Sequence, residues 1–149
     1  MTFLNKSIIF SIDEILFGIP LEQIKRLGKV EKIEPLKNVP NWIHGKILYR
    51  NNPLPYITLS NFLKINRPEK EVFLIPRNFE YCALGISKIK GIYDLKIKKT
   101  YTTTMFDIDY LLGFGEFKNR IVLYIDIENF LSKEQKQILK DLNKKNEKK

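Results

Sequence analysis

Few residues in this chain could do covalent or metal chemistry. His44 is the single histidine and Cys82 the single cysteine. Neither has a partner at metal-ligand spacing, so a multi-thiolate metal site and an intramolecular disulfide are excluded. Cys82 stands in an apolar strand pattern, Tyr81-Cys82-Ala83-Leu84, where a thiol reads as a buried, inert side chain. No serine sits in a nucleophile-elbow pattern, and no Gly-rich run with Lys is present to cradle a phosphate. Gly113-Phe114-Gly115 is flanked by strand residues and reads as a β-bulge. Asp107 and Asp109 form a lone carboxylate pair that reads as solvated. The reading is therefore of a non-enzyme that needs no cofactor.

What the chain does offer is binding chemistry. Trp42-Ile43-His44-Gly45 places the only tryptophan just before a glycine that permits close backbone approach. Shortly after comes Tyr49-Arg50-Asn51, with the only arginine of the central hairpin. Two readings stay open. Trp42 is a core residue beside a solvated Arg50, or it is an exposed anchor beside a bidentate donor, the composition of a protein-binding hot spot.

The elements that position these residues are strands. Across 149 residues there is one alanine, Ala83, while Ile, Val, Thr, Phe, Tyr and Trp supply 49. Such usage suits pleated, half-buried surfaces and argues against a helical bundle. The formal net charge is +9. Seven Lys against three acids in Ser132–Lys149 account for +4, leaving +5 over the other 131 residues. Lysines are 21 of the 26 cations and are dispersed, whereas sequence-specific nucleic-acid readout relies on clustered Arg. A solvated basic surface is the plainer reading, and a basic nucleic-acid-binding β-barrel module is the alternative. No apolar run approaches the length of a signal peptide or membrane span, so a soluble cytoplasmic protein is expected, with no direct membrane insertion.

Along the chain, Ser7–Ile12 and Ile15–Ile19 read as a hairpin about Asp13-Glu14. A helical turn over Leu21–Leu27, stopped by Gly28, and a strand over Val30–Pro35 are expected next. Lys46–Arg50 and Pro53–Leu59 form a hairpin about Asn51-Asn52, and Ser60 caps a turn reaching Leu63. Lys64–Glu71 is the best linker. Strands follow at Val72–Ile75, Tyr81–Ile86 and Gly91–Lys98, then a Thr-rich loop, Thr100–Thr104. A last hairpin, Asp109–Phe117 with Arg120–Ile127, precedes a helix that Ser132 caps and that frays after Leu142.

The plan is duplicated. Asn41–Leu63 laid over Asp109–Leu131 gives seven identities in 23 ungapped positions, Gly45 meeting Gly113 and Tyr56-Ile57 meeting Tyr124-Ile125. A looser match at offset 65 aligns Ile19, Leu21, Ile24 and Leu27 with Leu84, Ile86, Ile89 and Ile92. Five short strands per unit must close or leave bare edges, so two small barrels are expected. Residues 7–64 would form the first barrel, 72–131 the second, and 132–149 a terminal helix and basic tail.

Phe17-Gly18-Ile19-Pro20-Leu21-Glu22-Gln23-Ile24 resembles the early motif of the CheW-like family of chemotaxis coupling proteins. Pro40-Asn41-Trp42-Ile43-His44-Gly45 and the hairpin Ile47–Leu59 resemble its central passage, and Tyr110–Gly113 with Ile121–Ile127 its closing pattern. The resemblance covers roughly residues 8 to 131. It implies one domain of two five-stranded Src-homology-3-like barrels, acting as an adaptor between a chemoreceptor's cytoplasmic tip and the regulatory domain of a histidine kinase. By position, Ile24, Arg26, Gly45, Arg50, Ile89 and Ile92 would line a receptor-binding groove, though Ile24, Ile89 and Ile92 also read as plain barrel core. Three positions that are acidic in the family are Arg26, Thr58 and Ser87 here. A receptor–kinase system other than swimming chemotaxis is the third reading.

Overall fold

Three two-residue turns built without glycine fold the hairpins. Asp13-Glu14, Arg50-Asn51 and Lys118-Asn119 all hold φ between 50° and 66°. Two successive left-handed residues make a type I′ turn, whose twist matches that of the strands it joins. The central turn therefore falls on Arg50-Asn51, one residue before the expected Asn51-Asn52. The computed structural model describes residues 2–60, 72–87, 89–99 and 111–147. Of the turn expected from Ser60 to Leu63 only Ser60 is described, and its buried Oγ has no hydrogen-bond partner among the described residues, so the expected cap does not form. The rest of that turn, the linker Lys64–Glu71, the loop Thr100–Thr104 and the pair Asp107/Asp109 lie outside the described residues.

In chain order the strands are β1 (Thr2–Ile12), β2 (Ile15–Pro20), β3 (Ile24–Lys29), β4 (Gly45–Tyr49), β5 (Asn52–Thr58), β6 (Val72–Pro76), β7 (Ala83–Ile86), β8 (Ile89–Lys99), β9 (Leu111–Phe117) and β10 (Arg120–Ile125). A helix, α1 (Lys133–Glu147), follows. The sheets are mainly β architecture as expected: a closed barrel in the order β8-β1-β2-β10-β9, and a five-stranded sheet β3-β6-β7-β5-β4.

These sheets do not coincide with the two sequence halves. The barrel takes β1 and β2 from the first half and β8 to β10 from the second; the other sheet takes β3 to β5 and β6, β7. The expected division into barrels 7–64 and 72–131 thus gives way to a reciprocal exchange. Each repeat lends its first two strands to the other's last three. The equivalences are close: β10 pairs parallel with β2 at Tyr124↔Gly18, and β5 pairs parallel with β7 at Tyr56↔Ala83. Tyr56 and Tyr124 are related by the offset of 68, Gly18 and Ala83 by that of 65.

The local helix signal at Leu21–Leu27 loses to strand pairing. Only Leu21–Gln23 forms a 3-10 turn, and Ile24–Lys29 becomes β3, with Gly28 opposite Phe73 on β6. Of Val30–Pro35, Glu34 alone pairs, its N–H and C=O exchanging bonds of 2.9 and 2.8 Å with Lys46 on β4. The Gly113-Phe114-Gly115 bulge is also displaced. Gly113 and Gly115 pair regularly with Tyr124 and Val122, and the irregularity falls at Leu112. At α1 the Ser132 cap holds as a reciprocal pair, with Gln135 N–H donating to Ser132 Oγ at 3.1 Å and Ser132 N–H to Gln135 Oε1 at 2.8 Å. The helix runs on past Leu142 to Glu147.

Three apolar clusters result. One fills the barrel with Ile9, Leu16, Leu95, Ile97, Val122 and Tyr124; one lies under the second sheet, around Ile47, Tyr56 and Phe73. The largest lies between the sheets, joining outer faces of both and Leu139 of α1: Ile8 and Phe10 of β1, Ile57 of β5, Leu74 of β6, Leu84 of β7. Asp126 clamps the connections beside it. Its carboxylate accepts from Gln23 Nε2 at 2.9 Å, Glu128 N–H at 3.0 Å and Asn129 Nδ2 at 2.6 Å, and Gln23 Oε1 accepts from Ile127 N–H at 3.0 Å.

The duplicated glycines sit at equivalent seams, Gly113 where β9 meets β8 and Gly45 where β4 meets the Glu34 bridge. A Cβ on Gly45 would stand 2.4 Å from Glu34 O, and one on Gly113 2.3 Å from Lys98 O. Gly115, two residues on, has nothing nearer than 3.4 Å. We predict that Gly113→Ala lowers stability by about 2 kcal/mol, as overpacking against rigid backbone does, and that Gly115→Ala stays within about 0.5 kcal/mol. Urea unfolding of the two variants checks this.

Candidate partner-binding site

Two β-bulges decide which aliphatic side chains reach the surface. On β8 the register jumps so that Ile92 faces Ile8 and Ile89 faces Phe10, leaving Lys90 unmatched beside Gly91 at φ 144°. Residues three apart on a regular strand point to opposite faces. The bulge returns Ile89 and Ile92 to one face, alongside the inter-sheet core. The same irregularity on β3 skips Lys25 and sets Ile24 with Leu27, which lies opposite Leu74 of that core.

The four positions correspond through the offset of 65 but differ in burial. Ile24 is buried in the shared core, while Leu27, Ile89 and Ile92 are 41%, 37% and 53% exposed. Leu27 was not singled out from the sequence. Its signal was available, since it aligns with Ile92 in the repeat.

The polar candidates divide likewise. Arg26 on β3 and Arg50 in the β4–β5 turn line one cleft of about 250 Å³, with Tyr49, Leu54 and Ile75. Arg26 is paired with Ile75 in register and so shares its face. The Arg50 guanidinium carbon lies 5.3 Å from the Tyr49 ring centroid, a cation–π contact. Lys118 repeats it over Phe117 at 5.2 Å in the barrel. The start of β3 is held from outside by Arg77, which donates through Nε to Glu22 O at 2.9 Å, through Nη2 to Ile24 O at 3.2 Å and through N–H to Gln23 O at 2.8 Å.

The remaining candidates stand apart from this cleft. Gly45 is buried, and the backbone that approaches it is Glu34 of the same chain. Trp42 is half-buried against the shared core. Ile89 and Ile92 belong to the barrel, on a different sheet from Arg26 and Arg50.

Burial pushes the Cys82 thiol up to about 12, against a smaller opposing pull from Lys136. Burial also pushes Tyr124 up to about 12 inside the barrel, where its hydroxyl lies 2.9 Å from Ser7 Oγ. No cluster of metal-ligating side chains occurs among the described residues. Among them, too, no helix is long and apolar enough to cross a membrane. We expect iodoacetamide to leave Cys82 unmodified in native protein at neutral pH and to alkylate it once denaturant exposes it, as mass spectrometry would record.

Comparison with known proteins matches residues 6–135 to the CheW-like domain model. A chemotaxis protein CheW from Klebsiella aerogenes is 23% identical over 146 residues, covering 92% of this chain and 87% of that one. Among solved structures, the scaffolding protein TtCheW from Thermoanaerobacter tengcongensis aligns with a TM-score of 0.67 at 17% identity, over 83% of this chain and 89% of that one. At that identity the structural match speaks for the fold.

Proposed function

Since the chain belongs to the CheW-like domain family, we propose that it is a non-enzymatic adaptor linking a chemoreceptor's cytoplasmic tip to the regulatory domain of a histidine kinase. One observation carries the reading. The family match runs from residue 6 to residue 135, through both sheets and into α1, so the whole scaffold is shared rather than a single barrel. The Klebsiella relative is named for chemotaxis, which gives the signalling context.

Three exposed aliphatic side chains, Leu27, Ile89 and Ile92, supply the kind of anchors on which an amphipathic helix docks. Arg50 supplies a charged contact at the tip of a stiff hairpin, where a left-handed turn and the Tyr49 ring restrict it. In this reading Ile24, Gly45 and Trp42 support the binding surface from beneath. The kinase domain, expected to carry a similar fold, meets the ends of the sheets.

The test is retention on an immobilised receptor cytoplasmic fragment from the same organism. Arg50→Glu is expected to reduce the bound fraction about tenfold, equivalent to about 1.4 kcal/mol. Undiminished retention of the variant would remove Arg50 from the interface.

A further inference from the structure

The Arg26–Arg50 cleft has a third wall that the family resemblance does not include. Asn143, near the end of α1, lines it together with Asn52 and Lys25. Three cations thus border the cleft against one carboxylate, Glu80, and that carboxylate is already ion-paired with Lys25. Among the described residues Arg26 and Arg50 have no ion pair. Arg77, the nearby cation, is spent on the backbone carbonyls of Glu22 and Ile24. Both guanidiniums belong to exposed residues, Arg50 resting on the Tyr49 ring.

We propose that this cleft receives a carboxylate side chain from the partner's helix, and that the end of α1 tunes how tightly it is held; the proposal rests on the adaptor reading above. Charge complementarity selects the occupant. Two guanidinium forks present planar donor pairs that match a carboxylate bidentately. Asn52 and Asn143 carry neutral amides that can donate further hydrogen bonds without adding charge. Leu54 and Ile75 provide an apolar floor, which lowers the local dielectric and strengthens a charge-assisted bond made above it. A hydrophobic helix face alone would leave both guanidiniums facing apolar surface, at a desolvation cost with no compensating bond.

Because Asn143 sits in α1 rather than in either sheet, a substitution there changes the cleft's charge without touching strand pairing. That makes the sign of the effect predictable. A negative charge there competes with the incoming carboxylate for the arginines, and a positive charge adds to them.

Isothermal titration would use the full chain and the receptor cytoplasmic fragment from the same organism. The fragment is taken in its native form and with the acidic residues of its tip changed to their amides. Arg26→Glu is expected to weaken binding of the native fragment about tenfold, Asn143→Asp about threefold, and Asn143→Lys to tighten it about threefold. The amidated fragment should bind wild type more weakly and respond to none of the three changes. Circular dichroism melts of the variants confirm that each is folded. Dissociation constants of Arg26→Glu and Asn143→Asp within about twofold of wild type would overturn the proposal and leave the adaptor reading intact. Equal binding of native and amidated fragments would do the same. A wild-type chain that binds neither fragment overturns the adaptor reading and the proposal together.

Discussion

The outer faces of the two sheets share one apolar core, and that core exists only because the repeats exchange strands. β1 and β2 carry Ile8, Phe10, Ile12, Phe17 and Ile19 into it from the barrel, while β5, β6 and β7 bring Ile57, Leu74 and Leu84 from the other sheet. A repeat folded on itself would keep its hairpins but lose this arrangement, because its first two strands would pair with its own last three. The exchange makes each sheet depend on residues from both halves of the chain. Unfolding is therefore expected to be cooperative, as it is for small domains with one continuous core. Helix α1 depends on the same core through Leu139, with Lys136 and Lys140 lying over the Phe79 and Tyr81 rings.

Duplication also explains how one scaffold presents different surfaces. Position 26 in the first repeat is an arginine at the mouth of a cationic cleft; its equivalent, position 91, is a glycine at φ 144° inside a bulge. The cation stacked over an aromatic ring is kept in both hairpins, as Arg50 on Tyr49 and Lys118 on Phe117. Ile24 is buried where Ile89 is exposed. Equivalent backbone positions thus carry unequal chemistry, as the proposed adaptor role with two unlike partners would require.

Much of this was legible in the sequence where the signal was local. The duplicated hairpins and the Ser132 cap follow from short-range residue chemistry, with the central turn one residue earlier than expected, and the offset of 65 between Ile24/Leu27 and Ile89/Ile92 marks a real structural equivalence. The pairing of strands was not legible. Hairpin signals say which neighbours pair, while the parallel β2–β10 and β5–β7 ladders join segments far apart in sequence. The same reason hid the cleft. Arg26 lies on β3 and Arg50, 24 residues later, in the turn between two strands that do not pair with β3, and Asn143 comes from the far end of the chain. Leu21–Leu27 misled because Pro20 and Gly28 frame a plausible helix, and only the ladder with β6 makes most of it a strand.

On the proposed function, the exchanged sheets form one scaffold that holds a receptor and a kinase domain at once. Sedimentation velocity on a mixture of the chain, a receptor cytoplasmic fragment and the kinase's CheW-like regulatory domain tests it most directly. A ternary species that forms only when the chain is present is expected. If the receptor fragment and the kinase domain instead displace each other from the chain, the account of a bridging scaffold is contradicted.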